Sequence, residues 1–130
     1  MSAEIVLQAA LLAALRGSAV LAAGANGVFA GAPVKASVPY VALGEVLAVD
    51  WGTKTAAGRE CRVAVTVRDA GETAMRAQQL ADAAGVAIEK SARDLPGWRV
   101  ASVVFLRSRV VRERDGWAVA VEYRVRMLAV

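Results

Sequence analysis

Apolar and polar positions along the chain alternate with two different periods, and the switches between them divide it into elements. From Ala3 to Leu15 the only polar residues are Glu4 and Gln8, and Arg16 extends the same narrow polar stripe. A helix buried over most of its circumference is expected there. Ser2 is placed to cap it, and Glu4 lies in its opening turn, where the helix dipole favours a negative charge. Gly17 ends it, and Ser18–Ala23 is expected to make one more short turn before the reversal at Gly24-Ala25-Asn26-Gly27.

Period-two patterning takes over next. Val28 and Phe29 form a short extended piece, followed by a loop at Pro33. Val38-Pro39-Tyr40-Val41 opens a strand to about Leu47, with Pro39 acceptable only at its start or on an edge. Ala48–Gly58 reads as a polar, glycine-bearing loop with one large aromatic residue, Trp51. The clearest strand follows. Cys61, Val63, Val65 and Val67 point one way, while Arg62, Ala64, Thr66 and Arg68 point the other.

Asp69-Ala70-Gly71-Glu72 has the form of a capping box. The helix it is expected to start carries Ala77, Leu80, Ala81, Ala84 and Ile88 on one face, with Arg76, Gln79, Asp82 and Glu89 on the other. Gly85 costs that helix ~1 kcal/mol relative to alanine, and it ends before Leu95-Pro96-Gly97. From Trp98 two long strands turn at Arg114-Asp115-Gly116. The second faces Trp117, Val119, Val121, Tyr123, Val125 and Met127 to one side, and Ala118, Ala120, Glu122, Arg124 and Arg126 to the other. The first, Val100–Arg112, mixes apolar residues and arginines on both faces, which predicts a bulge or a face covered by a partner.

The expected architecture is α+β: a mixed, largely antiparallel sheet, two main helices packed on one face, and a C-terminal β-hairpin. A chain of 130 residues suits one domain spanning 1–130.

Composition sharpens this picture by exclusion. There is no histidine, which removes the commonest general base and the commonest metal ligand. Cys61 is the only cysteine, so neither an internal disulfide nor a thiolate metal cluster can form, and a small buried hydrophobe is its expected role. No metal or cofactor is expected, and a reducing cytoplasm is the expected place of folding. Ile5–Ala25 is interrupted by Gln8, Arg16 and Gly17, short of the ~20 apolar residues a membrane span needs. It also lacks the positive start of a secretory signal. The hydrophobic fraction is 57%, so part of the apolar surface is expected to serve partners.

Charge is placed unevenly. The net charge is +4, and all of it rides on the segment from Arg99 onward, which carries seven arginines against Glu113, Asp115 and Glu122. Arginine outnumbers lysine 13 to 3, which favours bidentate pairing with carboxylate or phosphate. An arginine-rich hairpin suits phosphate contact, yet Trp117 and Tyr123 alternate onto its apolar face and are not offered for base stacking.

Catalytic patterns are weak. In Gly52-Thr53-Lys54-Thr55 a threonine separates glycine from lysine, and no earlier glycine has the phosphate-loop spacing. Asp50 and Glu60 flank that loop beside Lys54 and Arg59, where solvated ion pairing is expected in place of paired-carboxylate chemistry. An enzyme is the class this sequence supports least.

The order of these elements resembles a known family. An alanine-rich first helix ending Leu15-Arg16-Gly17-Ser18 is followed by Val28-Phe29 and then Val38-Pro39-Tyr40-Val41. Next come Trp51-Gly52-Thr53-Lys54, Gly58-Arg59-Glu60 leading into the valine strand, a helix after Gly71-Glu72 with a Leu-Pro-Gly exit, and a hairpin turning at Asp115-Gly116. Over essentially its whole length the chain is similar to the tail terminators of long-tailed bacteriophages and phage-like gene transfer agents. At one position it departs: Arg68-Asp69 stands where the resemblance leads one to expect an aromatic residue.

The resemblance implies a structural virion protein of the tail or neck, assembled in the host cytoplasm. It implies a hexameric ring on the finished tail tube that stops tube polymerisation and docks the head–tail connector. The implied partners are further copies, the tail tube protein, the connector (stopper) protein and, at most non-specifically, the passing DNA. Ring closure needs two unlike patches per subunit. The candidates are the first helix, the loop bearing Asp50, Trp51, Thr53, Lys54 and Arg59, and the hairpin, whose Arg107, Arg109, Arg112, Arg124 and Arg126 suit a DNA lumen or a neighbouring subunit. A head–tail stopper or adaptor, and a nucleic-acid-binding α+β module, are the alternative readings.

Overall fold

The computed structural model describes residues 1–130 and contains three helices and seven strands. Helices α1 (Ala3–Arg16), α2 (Ala19–Gly24) and α3 (Met75–Glu89) accompany strands β1 (Val28–Ala30), β2 (Tyr40–Leu43), β3 (Leu47–Asp50), β4 (Gly58–Asp69), β5 (Asp94–Leu95), β6 (Trp98–Glu113) and β7 (Gly116–Ala129). They form one mixed sheet in the order β1-β2-β4-β7-β6-β5, with β3 also on β4. Only β1 and β2 run parallel; the other pairs are antiparallel. The α+β class, the mixed sheet and the C-terminal hairpin are as the patterning predicts.

The core lies between one face of the sheet and the helices. Cys61, Val63, Val65 and Val67 of β4 and Val119, Val121, Tyr123, Val125 and Met127 of β7 point inward, side by side through the β4–β7 register. From the helices, Leu7, Leu11, Leu15, Leu80, Ala84 and Ile88 meet them. Burial pushes the Cys61 thiol up to about 11, so it stays protonated at neutral pH and packs as a small hydrophobe.

Helix α1 is capped as predicted, the Ser2 hydroxyl accepting from the Ile5 amide at 3.3 Å. Its burial is narrower than expected. Val6, Leu7, Leu11 and Leu15 are inside, but Ile5, Ala9 and Ala13 are exposed, because α1 has α3 on one flank only. Arg16 fastens its end to the sheet, donating from Nη2 to the Val28 carbonyl at 3.0 Å.

The expected strand from Val38 to Leu47 is two strands, and residues 48–50, expected in a loop, belong to the second. Leu43 pairs with Val65 and Leu47 with Arg62, so four steps along one chain match three along β4. One extra residue is accommodated at Gly44-Glu45-Val46, which interrupts the ladder as a bulge does. Of the bulge or partner-covered face expected for the first hairpin strand, the bulge is present and there are two, between Val100 and Ser102 and between Phe105 and Arg107.

The capping box at Asp69 does not form. Asp69 is still a strand residue, paired with Trp117, and α3 begins six residues later behind Ala74, with no side-chain cap. The buried Asp69 carboxylate instead receives a two-pronged contact from Arg76, at 2.7 and 2.6 Å, and the Ala70 amide at 2.8 Å. The departure at Arg68-Asp69 is thus a packed feature: Arg68 donates to Glu113 at 3.1 Å, and Asp69 ties β4 to α3.

The Arg76 guanidinium beside it holds the Asp69 carboxyl below its usual range, with the Ala70 amide adding to the effect and burial opposing it. A depressed folded pKa means stabilisation that is present above the unfolded value, near ~4, and lost as pH falls through the folded value. The stability gap between wild type and Asp69→Asn is therefore expected to be full at neutral pH and to shrink below about pH 4. Urea midpoints at a series of pH values check this; a gap unchanged down to pH 2 refutes the account.

Candidate assembly interface

The loop predicted as an interface connects β3 to β4 across residues 51–57. Its neck is closed by the Trp51 amide donating to the Gly58 carbonyl at 3.0 Å. A side chain at Gly58 would run into the Trp51 carbonyl oxygen, so glycine is required by the closeness of the two limbs. Thr53 holds the tip. Its amide donates to the Ala56 carbonyl at 2.8 Å, and its hydroxyl accepts from the amides of Thr55 and Ala56 at 3.3 and 3.2 Å. Lys54 projects into solvent at this tip. The loop joins two antiparallel strands and no helix follows it, so it is not a phosphate-binding loop.

Asp50 and Arg59 close the mouth of the loop as an ion pair at 3.6 Å. Glu60, expected to pair there too, turns to the opposite face. It accepts from Arg126 Nε at 3.0 Å and lies 3.9 Å from Arg124 Nε. Arg126 also sits over the Trp51 ring, 5.2 Å from its centroid. The half-buried indole is therefore held by its own chain, and the loop and the hairpin form one continuous surface.

The predicted arginines divide between the two faces of the sheet. Register places Arg124 opposite Val104, Arg126 opposite Ser102, Arg107 opposite Glu122 and Arg109 opposite Ala120, all on the face without helices. Arg107 donates to Glu122 at 3.0 Å, whereas Arg109 has no carboxylate partner. Arg112 is separate. It lies on the helix side, 4.9 Å from the centre of the Trp117 ring, and donates to the Glu72 carbonyl at 3.3 Å.

Sequence reasoning missed Arg62 as part of this face. It stands directly opposite Arg124, two like charges in an unfavourable cross-strand pair, of which Arg124 has Glu60 at 3.9 Å and Arg62 has no carboxylate partner. Arg124 Nε is buried without a hydrogen-bond partner. Exposed Leu47 lies opposite Arg62, and Val104 lies opposite Arg124, so the row across the sheet reads apolar, arginine, arginine, apolar. The signal was in the alternation of β4, which puts Arg62 and Arg68 outward; the neighbour across the ladder was not in the alternation.

No helix is long and apolar enough to cross a membrane. No group of three or more His, Cys, Asp or Glu side chains is placed to hold a metal ion.

Comparison with known proteins supplies the context for these surfaces. No curated protein matches the chain. A chain from a solved structure of the virion of a native gene transfer agent particle superimposes with a TM-score of 0.79 at 28% identity, covering 99% of this chain and 100% of that one. The model of the family described as tail completion protein gp17 matches residues 9–128. With that match running from the middle of α1 to the penultimate residue of β7, the chain belongs to the tail completion protein gp17 family.

Proposed function

We propose that this protein is a structural component of a phage or phage-like tail, acting by assembly and without catalysis. It forms a ring at the head-proximal end of the tail tube, ends tube polymerisation and docks the head connector. The observation that carries this reading is the end-to-end similarity to a chain of a gene transfer agent virion, at 28% identity over 99% of this chain. Residues 1–130 act as one tail-terminator-like unit in it, reaching the virion tail or neck from the host cytoplasm.

Two surfaces suit such a role. The loop of Asp50, Trp51, Thr53, Lys54 and Arg59 offers a rigid aromatic stacked by arginine, the kind of anchor that dominates protein interfaces. The bare sheet face carries Arg62, Arg107, Arg109, Arg124 and Arg126. Arginine flanked by exposed Leu47 and Val104 favours an acidic protein partner there, and passing DNA would be met only through phosphate, without sequence readout.

Electron microscopy of particles made without this protein tests the reading. Overlong tails that fail to join heads are expected. Normal-length tails joined to heads sink it, and tails of normal length beside heads that leak DNA favour a stopper.

A further inference from the structure

The sheet has two unlike ends. At one, β5 covers β6 only at Trp98 and Arg99, so from Ala101 to Glu113 the outer edge of β6 has no strand beside it. A long free edge presents unpaired amides and carbonyls and invites a further strand. It is apolar as well: Phe105 is 50% exposed and Val110 44%. Both sit on the helix side, where α3 does not reach β6, leaving a groove between them.

That groove has a chemical sign. Its α3 wall carries Asp82, Val86 and Glu89, its floor Phe105, Ser108 and Val110, and no lysine or arginine lines it. In a chain with net charge +4 this is an acidic, apolar cleft. Its field is felt by Tyr123 beneath it: burial, and then the charge of Glu89 and of Asp82, push the phenol up to about 12.

At the other end of the sheet β1 has β2 on one side only, and the loop joining them offers the matching chemistry. Val34 is 99% exposed, beyond every other large apolar side chain of the molecule, and neighbouring Lys35 is exposed with no carboxylate partner. Nothing within the chain accounts for an apolar valine tip held in water beside an unpaired cation.

We infer that the β1–β2 loop of one copy docks in the α3–β6 groove of the next, Val34 against Phe105 and Val110, and Lys35 against Asp82 and Glu89, with the free edge of β6 alongside. The occupant is a second copy of this chain. The two patches differ and lie at opposite ends of the sheet, so the contact is head to tail, the kind from which a ring is built when the rotation between copies closes. This inference rests on the ring reading and names the surfaces that make it.

Carbodiimide joins a lysine amine to a touching carboxylate with loss of water, and so it reads the contact directly. The full chain, mixed from isotope-labelled and unlabelled stocks at high concentration, is cross-linked and mapped by peptide mass while its solution mass is measured in parallel. A multimer with Lys35 of one copy linked to Asp82 or Glu89 of another is the expected result. A multimer without that link overturns this interface and leaves the ring reading standing. A chain that remains monomeric at this concentration overturns self-docking through this groove, and the ring reading is then judged by the particle microscopy alone. Lys35→Glu lies on an exposed loop and is expected to weaken association tenfold or more, with Asp82→Lys in the same chain restoring it. Equal assembly by wild type and Lys35→Glu also overturns the assignment.

Discussion

Gly116→Ala is expected to lower folding stability by about 4 kcal/mol, combining backbone strain with overpacking. Gly116 opens β7 at the hairpin turn with φ +153, where side chains are disfavoured. A methyl there would also run into the Asp69 carbonyl oxygen and the Ala70 Cα, both backbone and unable to swing aside. The crowding arises because β4 pairs with β7 up to Asp69 and Trp117, so the last residue of the central strand lies against the turn. Gly97 is the natural control. Its φ is +77 but nothing lies within 4 Å of an added methyl, so Gly97→Ala is expected to cost only the backbone term, about 1 kcal/mol. Urea unfolding of both variants separates the two contributions. Equal losses would show that the contact with Asp69 does not matter.

Leu11→Ala is expected to cost about 3 to 4 kcal/mol through the cavity left behind. Leu11 is 0% exposed on the inward stripe of α1, between Leu7 and Leu15. Close packing on every side limits the collapse that would otherwise soften the loss. Leu47, also leucine but 58% exposed on β3, is expected to tolerate alanine within about 0.5 kcal/mol. Urea midpoints with unchanged slopes test the pair, since a changed slope would signal an altered unfolded state instead. A Leu11 variant as stable as the Leu47 variant refutes the placement of α1 in the core. The Leu47 variant serves a second purpose, because loss of assembly without loss of stability would place β3 in a partner contact.

Much of the candidate site was legible from residues alone, but not its connections. Trp51 stood out as a large aromatic on a polar loop, and Gly58 as the start of the valine strand. That Arg126 stacks on Trp51 while donating to Glu60 was not readable, since 66 residues separate the acid from the arginine. The hairpin arginines looked alike in sequence, yet pairing with β7 sets the face each one takes, with Arg107 opposite Glu122 on the bare face and Arg112 opposite Trp117 on the helix side. Asp69 was misread for a related reason. A capping box is a local pattern, and the local pattern was present, but pairing with Trp117 kept Asp69 in the strand.

What the sequence determined by itself is the set of properties that depend on near neighbours. Alternation in β4 and β7 decides which valines point inward, the 3.6-residue stripe of α3 decides its buried face, and Asp115-Gly116 decides where the hairpin turns. Tertiary structure alone decided register, and with it which charge meets which. Arg62 opposite Arg124, Arg76 on Asp69, and a β6 edge left open beside an acidic groove all follow from strand pairing across long stretches of chain. Register is chosen by burial summed over the whole sheet, so no short window of residues contains it.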